Sequence, residues 1–172
     1  MEKVIETERL FLRRMDDSDY SDLCLILMDD ETMYAYEGAF TAEEARIWLD
    51  KQIESYEAHG IGLWAVIDKE SGAFIGQCGL TYQTWKDRKL LEVGYLFNKA
   101  YWHNGFAAEA ASACREYAFT ALGASEVSSI IRSTNCASMR VAVRNRMLPR
   151  DTWTKRYRGV DMPHILFTAE RD

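Results

Sequence analysis

The stretch "YWHNGFAAEA" (residues 101–110) lies between an apolar, strand-like segment, "KLLEVGYLF" (residues 89–97), and a run of helical periodicity. One glycine and a cluster of alanines remove side-chain bulk where a helix starts. A helix beginning near Gly105 leaves its first backbone N–H groups without intrahelical partners, and with the helix dipole these make a site for an anion. Gly105, Ala107 and Ala108 would let a phosphate reach that backbone, and Asn104 is placed to cap the helix or contact the anion. The same residues also suit ordinary capping and helix packing. No Gly-Lys-Ser/Thr follows, so the stretch is not a P-loop.

The periodicity on either side supplies the rest of the fold. Residues 8–14, "ERLFLRR", alternate like a strand, and "DDSD" offers N-cap acids to a helix with Tyr20, Leu23, Cys24 and Leu27 on one face. An irregular aromatic loop follows. Thr41 and Glu44 form a capping box for a helix over residues 42–58 that Gly60 stops. "GLWAVID" and "AFIGQCGLTYQ", joined by "KESG", predict a hairpin, and residues 89–97 predict a third strand after the loop "TWKDR". A helix over residues 105–122 with Gly123 as its stop, a strand "SEVSSIIR", a short helix "ASMRVAVRN" and a terminal pair, "DTWTKRYRG" with "MPHILFTA", complete the series. The order β-α-α-β-β-β-α-β-α-β-β predicts a single α/β domain over residues 1–172 with a mixed, mainly antiparallel sheet.

Within the strand over residues 89–97, Leu90, Glu92, Gly94 and Leu96 share a face. A carboxylate thus lies among apolar neighbours, beside a glycine that would permit a bulge or a close ligand approach. In an apolar cleft its pKa would rise, which suits a general base near neutral pH. On an edge strand it would simply face water.

Composition narrows the function classes. The net charge of −6 conceals a basic segment from Arg132 to Arg158, where eight basic residues face the one acid Asp151, while residues 1–131 carry −11. That asymmetry suits a polyanionic ligand at one edge and a cationic substrate elsewhere, and individual arginines also suit plain solvation. Cys24, Cys78, Cys114 and Cys136 are scattered and read as reduced, mostly buried residues, and with His59, His103 and His164 equally dispersed no metal is expected. The longest apolar run, residues 23–28, is too short for a membrane span, and the N-terminus lacks a signal-peptide layout, so a soluble, cytoplasmic protein is expected. No stacked-aromatic RNA motif accompanies the basic segment, which argues against nucleic acid.

The succession "ETERLFLR", "IGQCGL", "EVGYLF", "YWHNGFAAEA" and "NCASMRVA" resembles the GNAT N-acetyltransferase superfamily, in particular its ribosomal-protein N-terminal acetyltransferase (RimJ/RimL) branch, over nearly the whole chain. The resemblance implies a GNAT fold with splayed central strands and acetyl-CoA as co-substrate. The family's Gln/Arg-x-x-Gly-x-Gly/Ala pyrophosphate motif falls on Trp102, His103, Asn104, Gly105, Phe106 and Ala107, with Trp102 in place of the usual Gln or Arg. The resemblance implies that the pantetheine arm bonds backbone near Leu96 and Phe97, that Asn135 contacts the arm, and that Ser138 faces the departing sulfur. A Ser138 hydroxyl bonded only to its own backbone is the alternative. Glu92 would act as general base, through water, in direct transfer to a primary amine. The acceptor, a protein N-terminus or a small amine, would meet Tyr34, Tyr36 and Phe40, the loop with Trp85, and Tyr157.

Two positions depart from the family pattern. Ala142 replaces the tyrosine that many members use as general acid, and Arg146 replaces a glycine before Met147, leaving Asn145 to take the left-handed turn. Arg140 and Arg144 are candidates for the cofactor's phosphates or for plain helix surface. A non-catalytic acyl-CoA sensor is the competing function class. Members of this family often form homodimers, and no interface is legible here.

Overall fold

The computed structural model describes residues 2–171. The alternating segments build one eight-stranded sheet from β1 (Lys3–Glu6), β2 (Leu10–Arg13), β3 (Leu63–Asp68), β4 (Phe74–Trp85), β5 (Arg88–Phe97), β6 (Glu126–Arg132), β7 (Leu148–Tyr157) and β8 (Val160–Glu170). Its spatial order is β1-β2-β3-β4-β5-β6-β8-β7. All neighbours are antiparallel except β5 and β6, which run parallel and share a single register pair, Glu92 with Ser128. Beyond it the two strands diverge, which is the splay expected of a GNAT fold. Side chains take over there: Ser129 Oγ donates to the Val93 carbonyl (2.7 Å), and the Ile130 N–H donates to Glu92 Oε2 (3.1 Å).

Helices cover both faces. On one, α1 (Tyr20–Leu27) and α2 (Ala42–His59) bring Leu23, Leu27, Ala45 and Leu49 onto Leu63, Ala65 and Ile67 of β3. Thr41 and Glu44 form the anticipated capping box, and Gly60 ends α2 at φ +74°. On the other, α3 (Phe106–Thr120) and α4 (Cys136–Arg144) complete the larger core, where Ala110, Ala111, Cys114 and Ala118 meet Trp64, Val66, Leu80 and Val93. Alanine on that face of α3 lets the helix lie close to the sheet. Among the described residues, no helix is long and apolar enough to cross a membrane.

Several local expectations are corrected. An additional strand, β1, pairs with β2; at four residues, two of them charged, its alternation was too short to read. The segment "TWKDR" is not a loop, because β4 runs through Trp85 and turns at Lys86 (φ +55°) and Asp87. β4 and β5 stay in register from Gly76 opposite Phe97 to Trp85 opposite Arg88, so Gly94 marks close approach rather than a bulge, and β5 is no edge strand. α3 is capped by Ala121, and Gly123 takes the left-handed turn two residues later. Asn145 keeps φ −82°, buried with its amide on the Ala111 carbonyl, and Arg146 itself adopts φ +57°. Cys78 and Cys114 are buried, whereas Cys24 is only partly covered and Cys136 is exposed, since it opens α4 at the surface.

Candidate active site

A cavity of about 720 Å³ opens where β5 and β6 part, between the N-termini of α3 and α4. Its wall takes in most of the residues singled out for the cofactor: Leu96 and Phe97 from β5; Trp102, His103, Gly105, Phe106 and Ala107 before and within α3; Asn135 and Ser138 at the start of α4. The loop before α3 turns through two left-handed residues, His103 (φ +65°) and Gly105 (φ +81°), and no side chain caps the helix. Its first N–H groups are therefore left for another partner. Asn104 is the exception among the expected residues. It does not line the cavity, because its amide turns back onto the carbonyls of Tyr101 (3.2 Å) and Trp102 (3.0 Å), where it holds the loop instead of capping the helix.

Trp102 has a defined task. Its indole N–H donates to the Phe97 carbonyl (2.8 Å), fastening the loop to the end of β5. The Asn98 N–H donates to Ile75 on the β4 side, while Val93 and Phe97 accept bonds from the opposite side. Strand alternation then directs the N–H groups of Tyr95 and Phe97 into the splay and that of Leu96 toward β4. Asn135 caps α4, its side chain accepting from the Ser138 N–H (3.0 Å), while the Ser138 hydroxyl has no protein hydrogen bond among the described residues.

Sequence reasoning passed over two contributors, Tyr95 and Arg9. Tyr95 lines the cavity and donates its hydroxyl to the Ser138 carbonyl (2.8 Å). Arg9 in the β1–β2 turn bonds the Asn104 carbonyl (3.0 Å) and Glu109, and its guanidinium lies 4.6 Å from the centre of the Phe106 ring. Only the tertiary fold brings that turn to the start of α3. Arg140 and Arg144, one helical turn apart, both face the cavity and have no acidic partner within 4 Å among the described residues.

Glu92 stands deeper, at the last point where β5 and β6 pair. Burial pushes its pKa up to about 7, against the smaller opposing effects of the Ile130 N–H and the Lys155 cation. A Cβ at Gly94 would stand 3.8 Å from Glu92 Oε1, so the absent side chain keeps room beside the free carboxylate oxygen.

The residues expected at the acceptor do not gather in one place. Tyr34 is exposed and lines the cofactor-sized cavity. Tyr36 packs edge-on against Phe40, Trp48 and Tyr157, and burial, with the nearby Glu92 charge, raises its phenol pKa. Trp85 is only 2% exposed, since it ends β4 under the sheet's far half against Leu90 and Leu166 with its indole on Asp151 (2.8 Å), and it is not a loop residue free to meet a substrate. Ala142 is fully buried, so its position offers no acid.

This geometry has relatives. The chain is 36% identical to the Bacillus subtilis protein YkkB over 137 residues, 79% of this chain and 80% of that protein. It is 31% identical to the uncharacterized N-acetyltransferase YoaA of the same organism, covering 82% and 80%. Among solved structures, the ribosomal L7/L12 α-N-protein acetyltransferase RimL in complex with coenzyme A superposes with a TM-score of 0.81 over 98% of each chain, at 14% identity, a likeness of fold. The family model for the acetyltransferase (GNAT) domain matches residues 9–148, from Arg9 at the start of α3's bracing through the splay and α4, and the chain belongs to the GNAT family as an acetyltransferase enzyme.

Proposed function

We propose that this acetyltransferase moves the acetyl group of acetyl-CoA directly onto a primary amine, with Glu92 as general base, and that its acceptors are protein N-termini, as in the RimJ/RimL branch, or small amines. One observation carries the reading: a carboxylate raised to about 7 at the apex of the splay, with the cavity opening from the same strand. The coenzyme A in the RimL complex, a protein of the same fold, supports the choice of cofactor.

The residues fit acetyl-CoA from end to end. The uncapped N-terminus of α3, with Gly105 and Ala107 beside it, would receive the pyrophosphate, and Arg140 and Arg144 would meet further phosphate charge. The pantetheine arm would lie along the free edge of β5, bonding Tyr95 and Phe97 rather than Leu96. A protonated amine cannot attack, so Glu92 removes a proton through water. The amine lone pair forms the C–N bond, and a splay-facing N–H stabilises the oxyanion, a contribution typically worth about 3 kcal/mol. The C–S bond then breaks with its electron pair on sulfur. A second amine proton passes to the thiolate by way of the Ser138 hydroxyl or water, and the amide product keeps the third.

Calorimetry with acetyl-CoA, followed by thiol release with a panel of amines and N-terminal peptides, tests this. Saturable binding and amine-dependent release are expected, with kcat rising as pH passes through about 7, where Glu92 loses its proton. Glu92→Gln should keep acetyl-CoA affinity and lower kcat by roughly a hundredfold or more. Binding without release from any acceptor would favour the acyl-CoA sensor. No binding would overturn the cofactor assignment.

A further inference from the structure

One face of the sheet, read through the cross-strand pairs, carries Glu92 on β5, Ile130 and Arg132 on β6, His164 on β8, and Trp153 and Lys155 on β7. Its charges are largely spoken for. Arg132 is paired with Glu37 (2.6 Å), and Arg158, in the turn between β7 and β8, with Glu44 (2.6 Å). Asp151, the acid on this face of β7, binds Lys86 (2.6 Å) and the Trp85 indole. His164 Nδ1 faces the Met162 carbonyl (2.8 Å), and burial lowers its pKa. Lys155 differs from all of these. It is half-buried, its ammonium lies 5.6 Å from the ring centres of both Trp85 and Trp153, and no carboxylate comes within 4 Å among the described residues. The aromatic pair holds the cation in place without neutralising it.

Resting on the acetyl-transfer reading, we propose that Lys155 binds a carboxylate on the acceptor, so that the preferred substrates are amines that carry a carboxylate beside the amino group, of the α-amino acid class. A simple cationic amine brought to Glu92 would be repelled by Lys155. An amino acid offers its ammonium to Glu92 and its carboxylate to Lys155, satisfying both charges at once. The half-exposed Trp153 and Tyr157 on β7 add apolar surface for a side chain. This reverses the expectation of a cationic acceptor drawn from the acidic first 131 residues, because the local charge facing the base is positive.

The test compares glycine, serine and phenylalanine with their carboxamides at saturating acetyl-CoA, by thiol release, in wild type, Lys155→Met and Lys155→Arg. Wild type should favour each acid over its amide by roughly tenfold or more in kcat/KM, the scale of one charge-assisted hydrogen bond, although the amide's less basic amine is the more deprotonated. Lys155→Met should bring the ratio to about one and Lys155→Arg should restore most of it. A wild-type preference for the amide, or an equal loss for acid and amide in Lys155→Met, overturns the proposal. Absence of thiol release with every amine would count against acetyl transfer alone. Calorimetry of N-acetylphenylalanine and its amide with the coenzyme A complex then reads the carboxylate preference without turnover, and equal affinities in wild type overturn it.

Discussion

The two oxygens of Glu92 have different tasks. Oε2 takes the Ile130 N–H, which the splay deprives of a strand partner, and Oε1 faces the space left by Gly94. Ionising this partly buried group is costly, and the sign of that cost is measurable. Its folded pKa of about 7 lies above the ordinary value of 4.5, so the stability it contributes is complete below about pH 4.5 and is lost as pH rises through 7. Glu92→Gln removes the charge and keeps an acceptor for Ile130. It should therefore stabilise the protein at pH 8 relative to wild type, by about 2 kcal/mol or roughly 4–8 °C in Tm, with little gain at pH 5. Melting curves at both pH values check it; a gain equal at the two would mean that burial does not raise Glu92. This carboxylate was legible in the sequence because it interrupts an apolar alternation. Lys155, Tyr95 and Arg9 were not, because each owes its place to a neighbour far away in the chain: Trp85, Ser138 and Asn104 respectively.

At the scale of elements, the segment that decides the fold is a turn that only certain residues tolerate. Gly105 sits at φ +81°, where a β-branched side chain is strained, and a Cβ there would come 3.6 Å from Arg9 Nη2. Gly105→Val should cost about 1–2 kcal/mol of stability and raise the acetyl-CoA Kd at least tenfold, by roughly the loss of one charge-assisted hydrogen bond. Gly123→Val supplies the comparison: Gly123 has a similar φ of +66° with nothing within 4 Å of an added Cβ. It should lose similar stability with no change in Kd, as calorimetry and thermal melts would show. Equal effects on Kd would reduce Gly105 to a structural turn. The helices and central strands were readable because each carries a full period of burial and a stop signal, as Thr41, Glu44 and Gly60 do for α2. β1 and the extension of β4 through Trp85 were not, because pairing with β2 and β5 rather than local pattern creates them. Asn104 misled for a related reason: an Asn-Gly pair signals a cap, and the cap here is the glycine.

For the molecule as a whole, charge is divided so that net and local signs disagree. The chain carries −6, yet α4 presents Arg140 and Arg144 to the cavity without acidic partners within 4 Å among the described residues. A polyanionic cofactor approaching from a distance meets a repulsive monopole and, nearer the cleft, an attractive patch. The Debye length of about 8–10 Å near physiological salt preserves the near field and screens the far one. If the patch governs capture, association should slow as salt rises, despite the like net charge. Replacing Arg140 and Arg144 with glutamine moves the formal net charge from −6 to −8 and removes the patch, so salt should then accelerate association by screening the repulsion that is left. Stopped-flow association of coenzyme A from about 0.01 to 0.3 M salt reads the sign of this slope directly. A negative slope in wild type that turns positive in the double variant assigns capture to α4. A slope that stays negative moves the attraction to the N-terminus of α3 and Arg9, where the dipole and a single guanidinium would have to outweigh the whole chain's charge.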